Sequence, residues 1–113
     1  MNESGFTRQL MPKLRAVVEK QLGGVVFKHN DFYTAGVPDL TITLGRATTW
    51  FEIKVAPNTA TKLQMYYLSK LKRSYLVVKH KEFYTLSFEK YYSLDELVIA
   101  MVAKSKEEYV TAE

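Results

Sequence analysis

Alternating apolar and polar residues on either side of Gly45-Arg46 restrict the fold of this chain more than any other feature. Glycine at the first position of a two-residue turn is typical of a type II′ β-hairpin. With this turn, Asp39 on the first strand lies directly across from Glu52 on the second. A longer loop that reaches Thr48 is the alternative, and it would shift the register of the two strands.

The hairpin has one apolar face and one polar face in this register. The apolar face consists of Leu40, Ile42, Leu44, Phe51, Ile53 and Val55, and the polar face consists of Asp39, Thr41, Thr43, Trp50, Glu52 and Lys54. Alternation of this kind is what a strand with one buried face requires. We therefore predict that the apolar face packs against the core.

The polar face brings two carboxylates together. Asp39 and Glu52 are cross-strand neighbours, and the Cβ atoms of such neighbours lie about 4.5–5.5 Å apart. Like charges at this distance repel each other and destabilise a hairpin unless a cation compensates them. Lys54 alone is a poor compensation for two acids, so the pair predicts a divalent metal site.

Hydrophobic periodicity predicts the remaining elements. Helices are expected over 6–22, with Pro12 as a kink or as the beginning of the main segment, over 61–72, and from the capping box at 93–96; strands are expected over 25–27, 75–78 and 83–88. The fold class is therefore α/β, a mixed β-sheet flanked by helices in the order α-β-β-β-α-β-β-α. Residues 1–104 are expected to form a single domain, and the charged residues 105–113 are expected to fray.

Composition and charge narrow the function classes. The chain has 113 residues and no cysteine, which excludes disulfides and thiolate metal sites and fits an intracellular, reducing compartment. No apolar run approaches the roughly 18 residues that a membrane span needs. Residues 61–90 contain seven basic and two acidic side chains. This excess suggests a polyanionic partner such as nucleic acid, and an ordinary solvated surface is the alternative.

Three short motifs carry a family resemblance: Gly36-Val-Pro-Asp39, Glu52-Ile-Lys54 and Thr61-x-x-Gln64. Together they resemble the PD-(D/E)xK nuclease superfamily, and they are most similar to its VRR-NUC group, over residues 3–80. The resemblance implies a restriction-endonuclease-like core and a Mg²⁺- or Mn²⁺-dependent endonuclease that hydrolyses phosphodiester bonds in DNA.

The motif residues suit metal-dependent hydrolysis. Asp39 and Glu52 supply the hard oxygen ligands that Mg²⁺ and Mn²⁺ prefer, and the metal would polarise the phosphodiester and acidify a bound water. Lys54 lies about 7 Å along the strand from Glu52, where its ammonium can orient the hydroxide or stabilise charge on the phosphate. The resemblance implies the backbone carbonyl of Ile53 as a further metal ligand.

The roles of Gln64 and of an N-terminal acid stay open. The resemblance places Gln64 beside the active site, as a catalytic residue, whereas Thr61 and Gln64 also form a capping box. The VRR-NUC group often has a glutamate at the beginning of its first helix, which implies Glu3 as a metal ligand, directly or through water. Glu19 is the rival, and either acid is also compatible with an ordinary helix surface.

Basic and aromatic residues near the motifs are candidate DNA contacts. The set comprises Lys28, Lys62, Lys70, Lys72, Arg73 and Tyr66. Lysines neutralise phosphates in a salt-dependent manner, and exposed tyrosines stack on bases. A chain of this length has little room for a sequence-reading module, so we expect it to select a DNA structure, such as a junction, a flap or a nick.

Other assignments remain open alongside the nuclease. Related proteins often act as dimers, and Phe83, Tyr84, Tyr91 and Tyr92 are the candidate surface for a homodimer. A catalytically inert nucleic-acid-binding or assembly factor would keep the same fold and the same basic face. A hydrolase of a different phosphoester would use the same acids and lysine.

Overall fold

A computed structural model describes residues 1–29 and 36–111. Its elements are α1 (Glu3–Arg15), continued by a π-helical segment (Ala16–Gln21), β1 (Val25–Lys28), β2 (Leu40–Leu44), β3 (Ala47–Val55), α2 (Lys62–Lys70), β4 (Ser74–Lys79), β5 (Tyr84–Leu86), β6 (Glu89–Tyr91) and α3 (Leu94–Thr111). The six strands form one sheet in the order β1-β2-β3-β4-β5-β6. The β3–β4 pair is parallel and the other neighbours are antiparallel, which confirms an α/β fold with a mixed sheet. Across the described residues, every helix is too short or too polar to cross a membrane.

Local sequence signals explain the first helix. Asn2 caps α1, because its side-chain oxygen accepts a hydrogen bond of 2.8 Å from the backbone N–H of Gly5. Pro12 lies inside α1 rather than at its beginning, and the helix widens into the π-helical segment four residues later. The chain then turns at Gly24, where a Cβ atom would lie 2.5 Å from the carbonyl oxygen of Thr43. This close approach to β2 requires a glycine.

The β2–β3 hairpin has the predicted register. Leu44 pairs with Ala47 and Leu40 pairs with Phe51, so the longer loop is excluded. Gly45 adopts φ = +61°, which is the left-handed region that a type II′ turn requires of its first central residue. The polar and apolar faces of the hairpin are therefore those that the sequence predicts.

The apolar face of the sheet packs against α1 and α3. Its fully buried residues are in one cluster with residues of the two helices: Leu40, Ile42, Phe51, Ile53, Val77 and Leu86 from the strands, and Phe6, Leu10, Leu14, Leu97 and Met101 from the helices. On the other face, Ser74 Oγ of β4 donates to the carbonyl oxygen of Leu68 in α2. No residue of α2 is buried, so the core lies on one side of the sheet and the polar face of β3 lies on the other.

The structure corrects the prediction in two places. The strand predicted over 83–88 is two short strands, β5 and β6, joined at Ser87 and Phe88, so the order is α-β-β-β-α-β-β-β-α. Both turn residues have positive φ angles of +50° and +72°, yet neither is glycine or asparagine, so the usual turn signal is missing. The predicted frayed tail begins too early, because α3 continues through Thr111 and Ser105 is fully buried, its hydroxyl donating to the carbonyl of Met101 at 2.9 Å.

Candidate metal centre

The polar face of the hairpin places Asp39 next to Glu52. Asp39 immediately precedes β2, one residue beyond the Leu40–Phe51 pair, so the register sets it across from Glu52. Its Oδ2 atom accepts a hydrogen bond of 2.8 Å from the backbone N–H of Ile53. This bond holds the Asp39 carboxylate against β3, beside the glutamate.

Glu52 is a buried acid. It is 1% exposed, and neither Oε1 nor Oε2 accepts a hydrogen bond from the described residues. Burial raises the pKa of the Glu52 carboxyl to about 8, the Asp39 carboxylate adds to this rise, and Lys54 opposes it. Buried carboxylate oxygens without hydrogen bonds are unfavourable, and a bound cation would compensate for them.

Lys54 connects the acid pair to the beginning of α1. Its Nζ atom lies 3.5 Å from Glu52 Oε2 and 3.7 Å from Glu3 Oε1. Glu19, the rival N-terminal acid, instead accepts a hydrogen bond of 3.1 Å from the backbone N–H of Val26 at the beginning of β1. Of the two acids, the structure brings Glu3 to the site and gives Glu19 a structural contact.

Gln64 forms the capping box of α2. Its side-chain oxygen accepts a hydrogen bond of 2.8 Å from the backbone N–H of Thr61, and its own N–H donates to the Thr61 hydroxyl at 3.1 Å. These reciprocal bonds satisfy two backbone donors at the beginning of the helix. The capping role of Gln64 is therefore confirmed, and its catalytic role stays a prediction.

Gly36 shows why the first motif begins with glycine. It has φ = +88°, and a Cβ atom there would lie 2.6 Å from Leu63 Cγ and 3.1 Å from a ring carbon of Tyr67. Both side chains belong to α2. The chain that leads into Asp39 therefore packs closely on α2, in a conformation that favours glycine.

His29 supports Asp39 in a way that the sequence pattern does not indicate. Its backbone N–H donates to the carbonyl oxygen of Asp39 at 2.7 Å, and its ring stacks on Trp50 with the centroids 5.2 Å apart. Its Nε2 atom lies 3.0 Å from Thr41 Oγ1. Continuing the β1–β2 ladder by one residue pairs His29 with Asp39. The contact between them could therefore be predicted only from the register of β1 against β2.

The candidate DNA contacts divide into exposed and buried residues. The exposed ones are Lys28, Lys62, Lys70, Lys72 and Tyr66. Arg73 is 8% exposed, and its Nη2 atom donates to the carbonyl oxygens of Lys104 and Ser105 in α3, at 3.4 and 2.9 Å. The prediction that Arg73 contacts DNA is therefore wrong, because its guanidinium is used to hold α3 near the sheet.

The aromatic residues predicted for a homodimer surface are partly packed within the chain. Tyr84 stacks on Phe6 with the ring centroids 5.6 Å apart. Phe83, Tyr84 and Tyr91 are half-buried, whereas Tyr92 is 71% exposed. The homodimer stays a prediction.

The donor set at the acid pair fits a hard divalent cation. Over residues 1–29 and 36–111, no group of three or more His, Cys, Asp or Glu side chains could hold a metal ion. Mg²⁺ nevertheless suits a site with two carboxylates, because it keeps several waters and uses substrate phosphate as a further ligand. Ile53 directs its N–H to Asp39, and extended backbone directs the carbonyl of the same residue to the same side.

No protein-family model matches the chain, and no match was found among curated proteins or solved structures. The function must therefore be inferred from the motifs and from the geometry of the residues around Asp39 and Glu52.

Proposed function

We propose that the protein is a Mg²⁺- or Mn²⁺-dependent endodeoxyribonuclease that hydrolyses phosphodiester bonds in branched or nicked DNA. The observation that carries the proposal is the Glu52 carboxylate, which is 1% exposed, has two oxygens that accept no hydrogen bond within the described part of the chain and lies across from Asp39. Burying the Glu52 carboxyl next to Asp39 brings no gain in stability, whereas a divalent cation would compensate both charges. The resemblance to the PD-(D/E)xK superfamily, and to its VRR-NUC group, supports the same reaction.

Asp39 and Glu52 are the metal ligands in this proposal. The carbonyl of Ile53 is a third protein ligand, and Glu3 contributes directly or through water. A divalent metal, when bound, polarises the phosphodiester and lowers the pKa of a bound water. Because burial raises the pKa of Glu52 to about 8, this carboxyl must release its proton in order to act as a ligand.

Lys54 acts on the phosphate. The carboxylates of Glu52 and Glu3 lie 3.5 and 3.7 Å from its Nζ atom, and these contacts position the ammonium on the polar face next to the acid pair. From this position it orients the attacking hydroxide and stabilises the negative charge that develops on the phosphate.

The distribution of charge supports DNA as the substrate. Residues 53–81 contain seven basic and no acidic side chains. Lys62, Lys70 and Lys72 of this stretch are exposed, as contacts with phosphates require. We propose that the protein recognises a DNA structure rather than a base sequence, and a homodimer would let two sites act on two strands.

Cleavage assays test the proposal. Linear, nicked, flapped and four-way DNA are incubated with Mg²⁺ or Mn²⁺ and with wild-type protein, Glu52→Gln or Lys54→Ala. We expect cleavage of the branched or nicked substrates, reduced by about a thousandfold or more in each variant because metal and charge stabilisation are worth several kcal/mol. Glu82→Gln, which changes an exposed acid, is the matched control and should cut like the wild type.

Two outcomes would contradict this function. Cleavage that is unchanged in both site variants would remove the proposed centre. Salt-dependent DNA binding without cleavage in either metal would instead support the inert nucleic-acid-binding or assembly factor.

A further inference from the structure

A shallow apolar groove lies between α2 and the strands β4–β6. Its lining includes Met65 and Leu68 from α2, Leu76 from β4, and Phe88 from the β5–β6 turn. The volume of the whole groove is about 250 Å³. We refer to it as the α2 groove.

The α2 groove adjoins the acid pair. Leu76 pairs with Glu52 in the parallel β3–β4 ladder, and paired strands lie about 4.8 Å apart. Leu76 alternates with the core residue Val77, just as Glu52 alternates with the core residue Phe51. Both residues therefore point away from the core, so the groove and the acid pair lie on the same face of the sheet, on neighbouring strands.

Phe88 is held in an unfavourable conformation that exposes its ring. Its φ angle is +72°, and that of the preceding Ser87 is +50°, a region that disfavours bulky side chains. Because the side chain is 93% exposed, packing within the chain does not compensate for this conformation. Backbone strain of this kind is concentrated at ligand-binding and active sites.

The helix that lines one side of the groove carries positive charge. Lys62, Lys70 and Lys72 are exposed on α2 and just after it, and residues 53–81 contain no acidic side chain. Glu89, which follows Phe88, accepts a hydrogen bond of 2.9 Å from the Tyr91 hydroxyl. Lysines beside an exposed aromatic ring complement the phosphates and the bases of a single strand. A duplex keeps its bases stacked inside and would leave Phe88 without a partner.

We infer that the α2 groove binds an unpaired strand of nucleic acid, with Phe88 stacking on a base and the lysines of α2 contacting phosphates. This inference rests on the proposed nuclease function, because it identifies the part of a branched or flapped substrate that leads to Asp39 and Glu52. The unpaired strand then supplies the structural selectivity of the proposed nuclease.

The test is the binding of a fluorescein-labelled oligo-dT strand, measured by fluorescence anisotropy in EDTA so that metal-dependent cleavage does not occur. Phe88→Asn removes the ring and introduces a residue that tolerates the left-handed conformation. Tyr92→Asn, which removes another exposed aromatic ring outside the groove, is the matched control. We expect about tenfold weaker single-strand binding by Phe88→Asn, with duplex binding and the Tyr92→Asn control unchanged. Wild-type affinity in Phe88→Asn overturns the inference.

A second pair of variants tests the groove independently of Phe88. Met65→Glu and Ile99→Glu each place a carboxylate at an exposed apolar helix position, which is 51% exposed in α2 and 66% exposed in α3. Met65→Glu should weaken single-strand binding and Ile99→Glu should not. Equal effects of the two changes would overturn the inference. A dimer in sedimentation that Phe88→Asn abolishes, with strand binding unchanged, would also overturn it and assign the groove to a second copy of the chain.

The two proposals fail in different ways. If the nuclease function is wrong, the wild type cuts no DNA in Mg²⁺ or Mn²⁺, whereas the paired variants still differ in single-strand binding. If the groove inference is wrong, cleavage persists and each variant binds like its control.

Discussion

Side chains are buried on both faces of β3, with opposite effects on the stability of the fold. Phe51 and Ile53 are fully buried in the cluster formed with α1 and α3. Glu52 and Lys54 occupy the alternate positions of the same strand and are 1% and 8% exposed, yet both carry ionisable groups. Burial of apolar side chains stabilises a fold, whereas burial of acids opposes it. This difference supports the proposal that the polar face is maintained for chemistry at some expense of stability.

The helices that cover the two faces of the sheet also differ in how many of their residues are buried. Phe6, Leu10 and Leu14 of α1 are fully buried, whereas α2 contributes no buried residue and begins at the capping box of Thr61 and Gln64. A helix with few buried apolar contacts contributes little to global stability. We therefore expect α2 to be the helix that contacts a substrate.

The largest expected effect on stability is at the apolar face. Phe51→Ala should lower the free energy of unfolding by about 3–5 kcal/mol, because it removes a fully buried ring from a packed core. Phe88→Ala is the matched control, since the same change at a 93% exposed position should alter stability by about 0.5 kcal/mol or less. Urea denaturation measures both values, and similar losses would contradict the assignment of the core to one face.

The next effect is a pH dependence at the polar face. The pKa of Glu52 is raised from 4.5 to about 8 in the folded protein, so the folded state keeps a proton that the unfolded chain releases in this range. Without metal, this group therefore lowers the free energy of unfolding as the pH rises from 4.5 to about 8, by up to ~1.4 kcal/mol per pH unit. Glu52→Gln removes the effect.

Thermal unfolding of wild type and Glu52→Gln in EDTA measures this dependence. The variant should gain stability over the wild type as the pH rises, since the difference between the two proteins isolates the contribution of Glu52. A difference that stays constant across this range would show that the folded protein does not raise the pKa of this carboxyl.

The smallest effect concerns the capping box. Thr61→Ala and Gln64→Ala each remove one of the two reciprocal hydrogen bonds and should each lower stability by about 1 kcal/mol. We expect Thr61→Ala and Gln64→Ala to reduce cleavage activity to the same extent, because both described capping bonds of Gln64 are made with Thr61. A much larger loss in Gln64→Ala alone would show that Gln64 also acts at the active site.

The parts of the fold that depend on clear local sequence signals were predictable. Alternation and Gly45 suffice for the hairpin register, and apolar periodicity suffices for the buried stripe of α1. The β5–β6 turn was not predictable, because Ser87 and Phe88 adopt left-handed conformations without the residues that normally favour them. The extent of α3 was also missed, since the burial of Ser105 depends on tertiary packing rather than on its own polarity.

The candidate site was predictable only in part, for a similar reason. Cross-strand register places Asp39 beside Glu52, and alternation places Lys54 on the same face. Sequence does not distinguish a buried arginine from an exposed one, so Arg73 was wrongly grouped with the lysines around it. The contact between His29 and Asp39 requires the register of β1, which a four-residue strand specifies weakly.

Binding of Mn²⁺, followed by the loss of its free electron paramagnetic resonance signal, tests the central claim most directly. The wild type and Glu82→Gln should bind the ion, with an affinity that rises with pH as Glu52 loses its proton, and Asp39→Asn and Glu52→Gln should lose binding while remaining folded. Equal binding of Mn²⁺ by Glu52→Gln and the wild type, or no binding by the wild type, would contradict a metal centre at this acid pair.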